Sequence, residues 1–310
     1  MGDRWIERAW NNLRRKTVQP EIVPRSFGTH DGSFHADEVT ACALLLLVDL
    51  IDRDKVIRTR KMTKLRTCEY VCDVGGIYDP TTKRFDHHQS SYEGKLSSAG
   101  MVLKYLKDNH VMSQELYRHF HHSLVRGVDA IDNGMMPAHF GFCTFSMVIG
   151  NFVPAQHDVG PSVLYQSFLQ AVSFAHGHLT RLKEKMLVVQ QYRNAVKEEM
   201  AKYQKVLIFD RSMPWLESFF ELGGKHHPAQ FIIMPSENKW KLRAIPPTYD
   251  RRMEVRMPLP PSWAGLIGEE LQEKTQVKGA IFCHKGQFLS IWRTKEDALQ
   301  ALQLVWKGVP

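Results

Sequence analysis

An apolar run from Val39 to Leu50 restricts the fold of this 310-residue chain more than any other feature of its sequence. The run contains one charged residue, Asp49, and is far shorter than the ~20 apolar residues that a membrane-spanning helix needs. A helix that is apolar on all sides must be buried on all sides. We therefore expect a helix over residues 38–51 in the interior of a globular domain, and no membrane partner.

Extended and helical patterns alternate along the first half of the chain. Residues 56–60 and 70–74 have the short apolar pattern of strands, and residues 98–108 and 113–128 have the spacing of helices. Such alternation is typical of a layered α/β domain with a mainly parallel sheet. We predict this domain over residues 24–160, with ligands at the carboxyl ends of its strands.

The second half of the chain has a different pattern. Residues 161–204 contain few helix breakers, which predicts a helical connector. Short apolar or alternating runs and two helical stretches follow, with good turn sequences at 236–238 and 285–287. These features predict a smaller C-terminal α+β domain over residues 205–310.

Composition limits the class of protein. The net charge of +8 is compatible with a polyanionic partner, and five scattered cysteines without a CxxC pair argue against a disulfide framework or a zinc ribbon. The basic N-terminal residues are interrupted by Asp3 and Glu7 and lack the apolar core of a secretory signal. We expect a cytoplasmic protein if the source is bacterial, with a mitochondrial or nuclear location open if it is eukaryotic.

Two segments place candidate metal ligands beside regular structure. His30, His35 and Asp37 lie in a loop directly before the apolar helix, whose N-terminus also favours an anion. Asp73 ends an apolar run and is followed by Gly75 and Gly76, which let the backbone turn away. A carboxylate at that position is well placed to bridge two cations.

Two further segments complete the set. Asp86, His87 and His88 are consecutive, and adjacent histidines can divide their roles between a metal and a substrate. Asp129 and Asp132 are three residues apart, so they would share one face of a helix. Both aspartates remain candidates for a single ligand position.

Imidazole and carboxylate without cysteine suit manganese, magnesium, iron or zinc in a hydrolytic site better than structural zinc. Two ions about 3.5–4 Å apart can clamp a phosphoryl group and lower the pKa of a water molecule. Alone, each histidine or aspartate would more often be a hydrogen-bonded structural residue. Four such segments in one domain predict a divalent-metal centre that hydrolyses phosphoesters.

The segment from Phe85 to Gln89 resembles the signature of the DHH phosphoesterase superfamily. The segments 28–38, 73–80 and 128–134 more closely resemble the MYG-type (melanocyte-proliferating-gene) exonuclease family, from about Ser26 to the C-terminal helix. The resemblance implies a DHH-type N-terminal domain, a substrate-binding C-terminal domain and two Mn²⁺ or Mg²⁺ ions. It further implies hydrolysis of RNA from the 3′ end.

The resemblance also implies individual roles. One metal would be held by His30, His35 and Asp73, and the other by Asp37, Asp73, His87 and either Asp129 or Asp132. His88 would face the scissile phosphate, and Asp86 would orient a neighbouring histidine.

The second domain departs from the family. The glycine pair that MYG-type proteins keep near the last helix is absent from residues 288–294. Arg293 could bind phosphate, and Trp292 could either stack on a base or belong to the core.

Three functions follow from this interpretation. The leading hypothesis is a 3′–5′ exoribonuclease that acts on RNA or a short oligonucleotide, as a monomer or a homodimer. The first alternative is hydrolysis of small phosphoesters such as pyrophosphate or short or cyclic dinucleotides. The second alternative is a metal-loaded RNA-binding protein without turnover, which would bind RNA even after its metal ligands are replaced.

Overall fold

A computed structural model describes residues 20–137, 141–156 and 158–308 of the chain, and its first strand, β1, spans Val23–Thr29. The basic N-terminal segment considered above, residues 1–19, lies outside the described residues. Contacts divide the chain into two compact units, with the boundary between Glu184 and Lys185. Each unit has its own five-stranded sheet.

The first unit alternates strands and helices, as the sequence predicts. Its other strands are β2 (Val56–Arg58), β3 (Cys68–Cys72), β4 (Tyr78–Asp79) and β5 (Arg84–Phe85). Its helices are α1 (Ala36–Leu47), α2 (Met62–Leu65), α3 (Ser98–Asp108), α4 (Gln114–Phe120), α5 (Arg126–Asp132) and α6 (Phe145–Gly150). A π-helical turn over His121–Val125 joins α4 to α5 within the helical stretch expected at 113–128.

The sheet of the first unit has the strand order β2-β1-β3-β5-β4. Pairing is parallel among β2, β1, β3 and β5, and only the edge strand β4 runs antiparallel. Close packing of β1 on β3 requires Gly28, since a Cβ there would lie 2.9 Å from Cys68 Sγ. The prediction of an α/β domain with a mainly parallel sheet is therefore confirmed.

The apolar run forms the interior helix α1. All residues from Ala36 to Leu45 are buried, and α1 belongs to a core that also includes α3 and part of the long helix described below. The helix begins two residues before the expected start and ends at Leu47. Asp49, in the turn that follows, has a left-handed backbone with φ of 58°.

The long helix α7 (Pro161–Ala201) corresponds to the expected connector, and the boundary between the units falls inside it. No helix in the described part of the chain is both long enough and apolar enough to cross a membrane.

The second unit combines a mixed sheet with short helices. Its elements are β6 (Val206–Ile208), α8 (Leu216–Glu221), β7 (Phe231–Ser236), β8 (Lys239–Ala244), α9 (Glu269–Thr275), β9 (Ala280–Cys283), β10 (Leu289–Trp292) and α10 (Lys295–Trp306). The strand order is β6-β7-β8-β10-β9, with β6 parallel to β7 and the other pairs antiparallel. This is the α+β organisation that the sequence predicts.

Candidate metal centre

Three of the four ligand-bearing segments follow neighbouring parallel strands. His30 comes directly after β1, Asp73 directly after β3, and Asp86 directly after β5. These strands are adjacent in the order β1-β3-β5, so their carboxyl ends meet at one edge of the sheet. That edge is where an open α/β sheet places its ligands.

Asp73 lies between two groups of histidines. Its Oδ2 is 3.2 Å from His30 Nε2, while its Oδ1 is 3.5 Å from His87 Nε2 and 3.3 Å from His88 Nδ1. The backbone of Asp73 is left-handed, with φ of 56°, a conformation that aspartate and asparagine tolerate better than most residues. Each carboxylate oxygen thus faces a different histidine group, as a ligand shared by two ions would require.

The first cluster contains a residue that sequence reasoning missed. His30, His35, Glu38 and Asp73 offer ligand atoms within 4.8 Å of one another. Glu38 is fully buried, its Oε1 lies 3.2 Å from His30 Nε2, and its carboxylate accepts a hydrogen bond from the backbone N–H of His35. An acid three residues after a helix N-cap usually serves the cap alone, so the sequence signal for Glu38 was structural.

Two more clusters adjoin the first. Asp73, His87 and His88 form one, and His35, Asp37 and Asp132 form the other. His87 connects them, because its Nε2 lies 3.1 Å from Asp132 Oδ2.

The buried polar atoms of this centre fit a divalent cation. Both carboxylate oxygens of Asp37, Oδ1 of Asp73 and Nε2 of His87 are buried without a hydrogen bond; the close approaches of His87 to carboxylates lack hydrogen-bond geometry. A buried carboxylate without a partner is costly, and native proteins rarely retain one. A cation bound among these atoms would satisfy them.

The pKa values report the concentration of negative charge. Burial, followed by repulsion from Glu38, Asp73 and Asp132, raises the pKa of Asp37 well above its usual value. Burial lowers the pKa of His30, but hydrogen bonds to Asp73 and Glu38 outweigh it and raise the pKa to about 10.

The pKa values of His87 and Asp73 reflect the contact between these two residues. The pKa of His87 is raised to about 10, mainly by the contact with Asp132 and then by Asp73. Burial raises the pKa of Asp73, yet its contacts with His30 and His87 bring it down to about 2. Protons on these histidines occupy positions that a metal ion would take, so metal binding would release protons.

Asp86 holds His88 beside the centre. Its Oδ2 accepts a hydrogen bond from Gly76 N at 2.6 Å, and its Oδ1 lies 2.8 Å from His88 Nδ1 and accepts from His88 N at 3.1 Å. The side chain of His88 is 64% exposed, whereas that of His87 is only 10% exposed. The contact would allow Asp86 to orient His88, and the roles predicted for Asp86 and the two histidines stay predictions.

The two aspartates of the fourth segment separate in the structure. Asp132 joins the centre through His87 and Asp37, whereas Asp129 belongs to none of the clusters. Oδ1 of Asp129 accepts hydrogen bonds from Ser97 N, Ser97 Oγ and Gly100 N at 2.8–3.1 Å, at the start of α3. Burial raises the pKa of Asp129 to about 6. Oδ1 of Asp129 therefore serves the start of α3, and the position of Asp132 beside His87 and Asp37 favours Asp132 as the ligand, which stays a prediction.

The two candidates of the second domain, Trp292 and Arg293, differ in their exposure. Trp292 is fully buried, its Nε1 donates a hydrogen bond to Ser290 Oγ at 2.9 Å, and its ring packs edge-on against Trp263. No face of the ring is available to a base, so the stacking role is corrected and the core alternative describes its position. Arg293 is exposed at the end of β10, and its contact with phosphate stays a prediction.

A cleft of about 530 Å³ opens onto the metal centre. Arg60 contributes a cation to its wall and is fixed by Asp31, with 2.8 Å between Nη1 and Oδ1. The residues that line the cleft are His30, Asp31, Gly32, Ser33, His35, Arg60, Asp73, Val74, Gly75, Gly76, Asp86 and His88. The exposed ring of His88 and the guanidinium of Arg60 therefore meet the same solvent-accessible space as Asp73.

Known proteins resemble the chain over most of its length. A family model for MYG1 exonuclease, described as "Uncharacterised protein family (UPF0160)", matches residues 26–304. The chain is 53% identical to the MYG1 protein of Chlamydia muridarum over 285 residues, which cover 92% of this chain and 98% of the relative. It is 30% identical to the MYG1 exonuclease of Homo sapiens over 326 aligned residues, covering 90% of this chain and 85% of the relative.

Among solved structures, the chain is similar to the crystal structure of RecJ in complex with Mn²⁺ from Thermus thermophilus. The TM-score is 0.27 at 10% identity, covering 91% of this chain and 52% of that chain. The family assignment rests on the sequence relatives and not on this likeness.

Proposed function

Because this chain belongs to the MYG1 family (UPF0160), we propose that it is a divalent-metal-dependent phosphodiesterase that degrades RNA as a 3′–5′ exonuclease. The observation that carries the proposal is the position of Asp73, whose two carboxylate oxygens face separate histidine groups. The human relative is named MYG1 exonuclease, which supports a nucleic-acid substrate. The direction and the choice of RNA come from the family resemblance.

In this proposal the residues of the centre hold two Mn²⁺ or Mg²⁺ ions. His30, His35, Glu38 and Asp73 would hold one, and Asp37, Asp73, His87 and Asp132 the other. Bound ions of this kind neutralise phosphate charge and lower the pKa of a nucleophilic water. The unpaired buried oxygens of Asp37 support this division, since no protein donor satisfies them.

The protein groups around the ions would position the substrate. Asp86 Oδ1 lies 2.8 Å from Nδ1 of His88 and orients the ring, so that an Nε2–H of His88 would donate a hydrogen bond to a phosphate oxygen. Arg60 adds a positive charge to the same cleft, and its contact with Asp31 limits the directions in which it can point.

The test uses the purified full-length chain with 5′-labelled and 3′-labelled single-stranded RNA, in Mn²⁺ and in EDTA. A 3′–5′ exonuclease shortens the 5′-labelled strand stepwise and releases the 3′ label as the smallest product. Asp73→Asn keeps the shape of the side chain and suits the left-handed backbone, yet removes the charge. Removing a residue that hydrogen-bonds to a metal ligand lowers activity by up to ~100-fold, so we expect loss of the charge of Asp73 itself to lower activity further. Unchanged turnover by this variant would overturn the proposal.

The second candidate function is hydrolysis of small phosphoesters at the same centre. It is favoured by residues 288–294, which lack the glycine pair that would allow close approach of the backbone to a phosphate. Pyrophosphate, a linear dinucleotide and a cyclic dinucleotide should be assayed beside RNA under identical metal conditions. Preference for one of these by kcat/KM would replace RNA as the substrate without changing the metal chemistry.

A further inference from the structure

Strand β8 presents cations on one face and apolar side chains on the other. Lys239, Lys241 and Arg243 alternate with Trp240, Leu242 and Ala244 along Lys239–Ala244. Leu242 and Ala244 are buried in the core that contains Trp263 and Trp292, and Trp240 packs against it. Because side chains alternate across a strand, the three cations face the opposite side, at intervals of about 7 Å.

Lys241 and Arg243 are only partly exposed, yet neither has a partner among the described residues. Within the described part of the chain, neither side chain forms an ion pair or a hydrogen bond, and Nε of Arg243 is buried and unsatisfied. Burial, and then repulsion from Arg243, lowers the pKa of Lys241. Burial, and then repulsion from Arg252, lowers the pKa of Arg243.

Such an arrangement is unfavourable for the chain alone. A partly buried charge loses hydration, and proteins normally compensate with a carboxylate or with hydrogen bonds. Here two like charges lie two residues apart on one strand without either compensation. An anion supplied from outside the chain would satisfy both cations.

The neighbouring strands surround these cations with apolar side chains. In the sheet register Lys241 lies opposite Ile291, and Arg243 lies opposite Leu289. Ile291 is opposite Phe282, which bridges to Ile267, whose side chain is 63% exposed. We call this surface the basic strand surface; it consists of Lys241, Arg243, Leu289, Ile291, Phe282 and Ile267.

A surface that combines unpaired cations with apolar groups, of which Ile267 is exposed and Phe282, Leu289 and Ile291 are partly exposed, matches one polymer in particular. Single-stranded nucleic acid carries a charged backbone and flat apolar bases that stack or lie on such groups. We propose that the basic strand surface of the second unit binds single-stranded nucleic acid, with Lys241 and Arg243 contacting phosphates and Phe282, Ile291 and Ile267 contacting bases. That the bound nucleic acid is the substrate of the metal centre rests on the proposed function.

The test measures binding separately from cleavage. The full-length Asp73→Asn chain is titrated into fluorescent single-stranded RNA at several salt concentrations, and the affinity is read from anisotropy. Lys241→Met/Arg243→Met removes both charges and leaves an unbranched apolar side chain at each position. We expect weaker binding and a slope of log K against log salt that is smaller by about 1.4, since each phosphate contact on a single strand contributes ~0.7.

The matched control is Lys274→Met/Lys278→Met, which removes the same charge from two exposed lysines in and after α9. Helix α9 packs on the opposite face of the sheet through Leu271, so the control should bind RNA with the affinity and salt slope of the parent. Charge-keeping Lys241→Arg and Arg243→Lys variants should retain most of the slope.

Several results would overturn the inference. One is an equal salt slope for the β8 variant and its control. Another is absence of RNA binding by the parent. A third is displacement of the labelled RNA by polyglutamate as effectively as by unlabelled RNA. RNA cleavage by the chain with intact Asp73 is followed in parallel. If that chain binds RNA but does not cleave it, the proposed function is refuted and the binding inference stands.

Discussion

Oδ1 of Asp86 lies 2.8 Å from Nδ1 of His88, and the same oxygen accepts a hydrogen bond from the backbone N–H of His88. The other oxygen of Asp86 accepts from Gly76 N at 2.6 Å, so the carboxylate is fixed at both ends. His88 is thereby held beside Asp73 although most of its ring is exposed. We therefore predict that Asp86 acts as a positioning residue whose effect appears in turnover.

Replacing Asp86 by asparagine should lower kcat on RNA by about 10–100-fold, the range found when a partner of a site histidine is removed. The amide side chain would keep one acceptor but lose the charged oxygen that contacts Nδ1 of His88. Mn²⁺ binding, measured by isothermal titration calorimetry, should change far less than kcat. A variant that loses metal binding together with turnover would show that Asp86 supports the ligands themselves.

Glu38 provides a second test because sequence reasoning did not select it. Glu38→Gln retains an oxygen that can accept from His35 N, so the start of α1 should keep its cap. The loss of charge beside His30 should weaken Mn²⁺ affinity by at least about 10-fold, with little change in the free energy of unfolding. The measurement is Mn²⁺ titration followed by urea denaturation in EDTA. A large loss of stability with unchanged affinity would assign Glu38 to the cap alone.

Asp129 and Asp132 form a matched pair of variants in one helix. Asp129→Ala removes the acceptor for Ser97 and Gly100 and should reduce the free energy of unfolding by about 1–2 kcal/mol, as for other helix caps. Asp132→Ala should have a smaller effect on stability but should reduce Mn²⁺ binding and turnover. Urea denaturation and Mn²⁺ titration of both variants decide the assignment. If Asp129→Ala instead reduced Mn²⁺ binding and Asp132→Ala reduced stability, Asp129 would be the ligand.

Trp292 should behave as a core residue. Trp292→Phe removes part of a buried ring and the hydrogen bond to Ser290, so it should destabilise the chain by about 1–3 kcal/mol. The affinity of the folded protein for RNA should remain unchanged. Unfolding in urea and anisotropy with RNA give the two values. Weaker RNA binding at unchanged stability would instead support the stacking role.

Much of the centre is readable from sequence because its signals are local. Asp73 comes directly after the apolar strand β3, which the sequence predicts, and the glycines after it mark the turn. The strands before His30 and Asp86 were not predicted, because β1 carries polar residues and β5 is only two residues long. Ligand type follows from residue type, and the parallel sheet follows from the alternation of strands and helices. The interior helix α1 was equally readable, since its run has no polar face to expose.

Other features depend on side-chain direction, which local patterns do not define. Residues three apart on a helix differ by roughly 60° around its axis, and that rotation separates Asp132 from Asp129. Trp292 occupies the strand face that packs against Trp240 and Trp263, whereas its neighbour Arg293 is exposed. Glu38 has the sequence signature of a cap, and only its 3.2 Å approach to His30 adds it to the metal centre.

The sequence by itself determined the ligand types, the interior helix and the α/β class, because each depends on a few consecutive residues. The tertiary structure decided which side chains meet. The order β1-β3-β5 brings together segments that are more than forty residues apart along the chain, from His30 to Asp73. Pairing between distant strands is fixed by the packing of the whole domain, and this packing places Asp73 between the histidine groups.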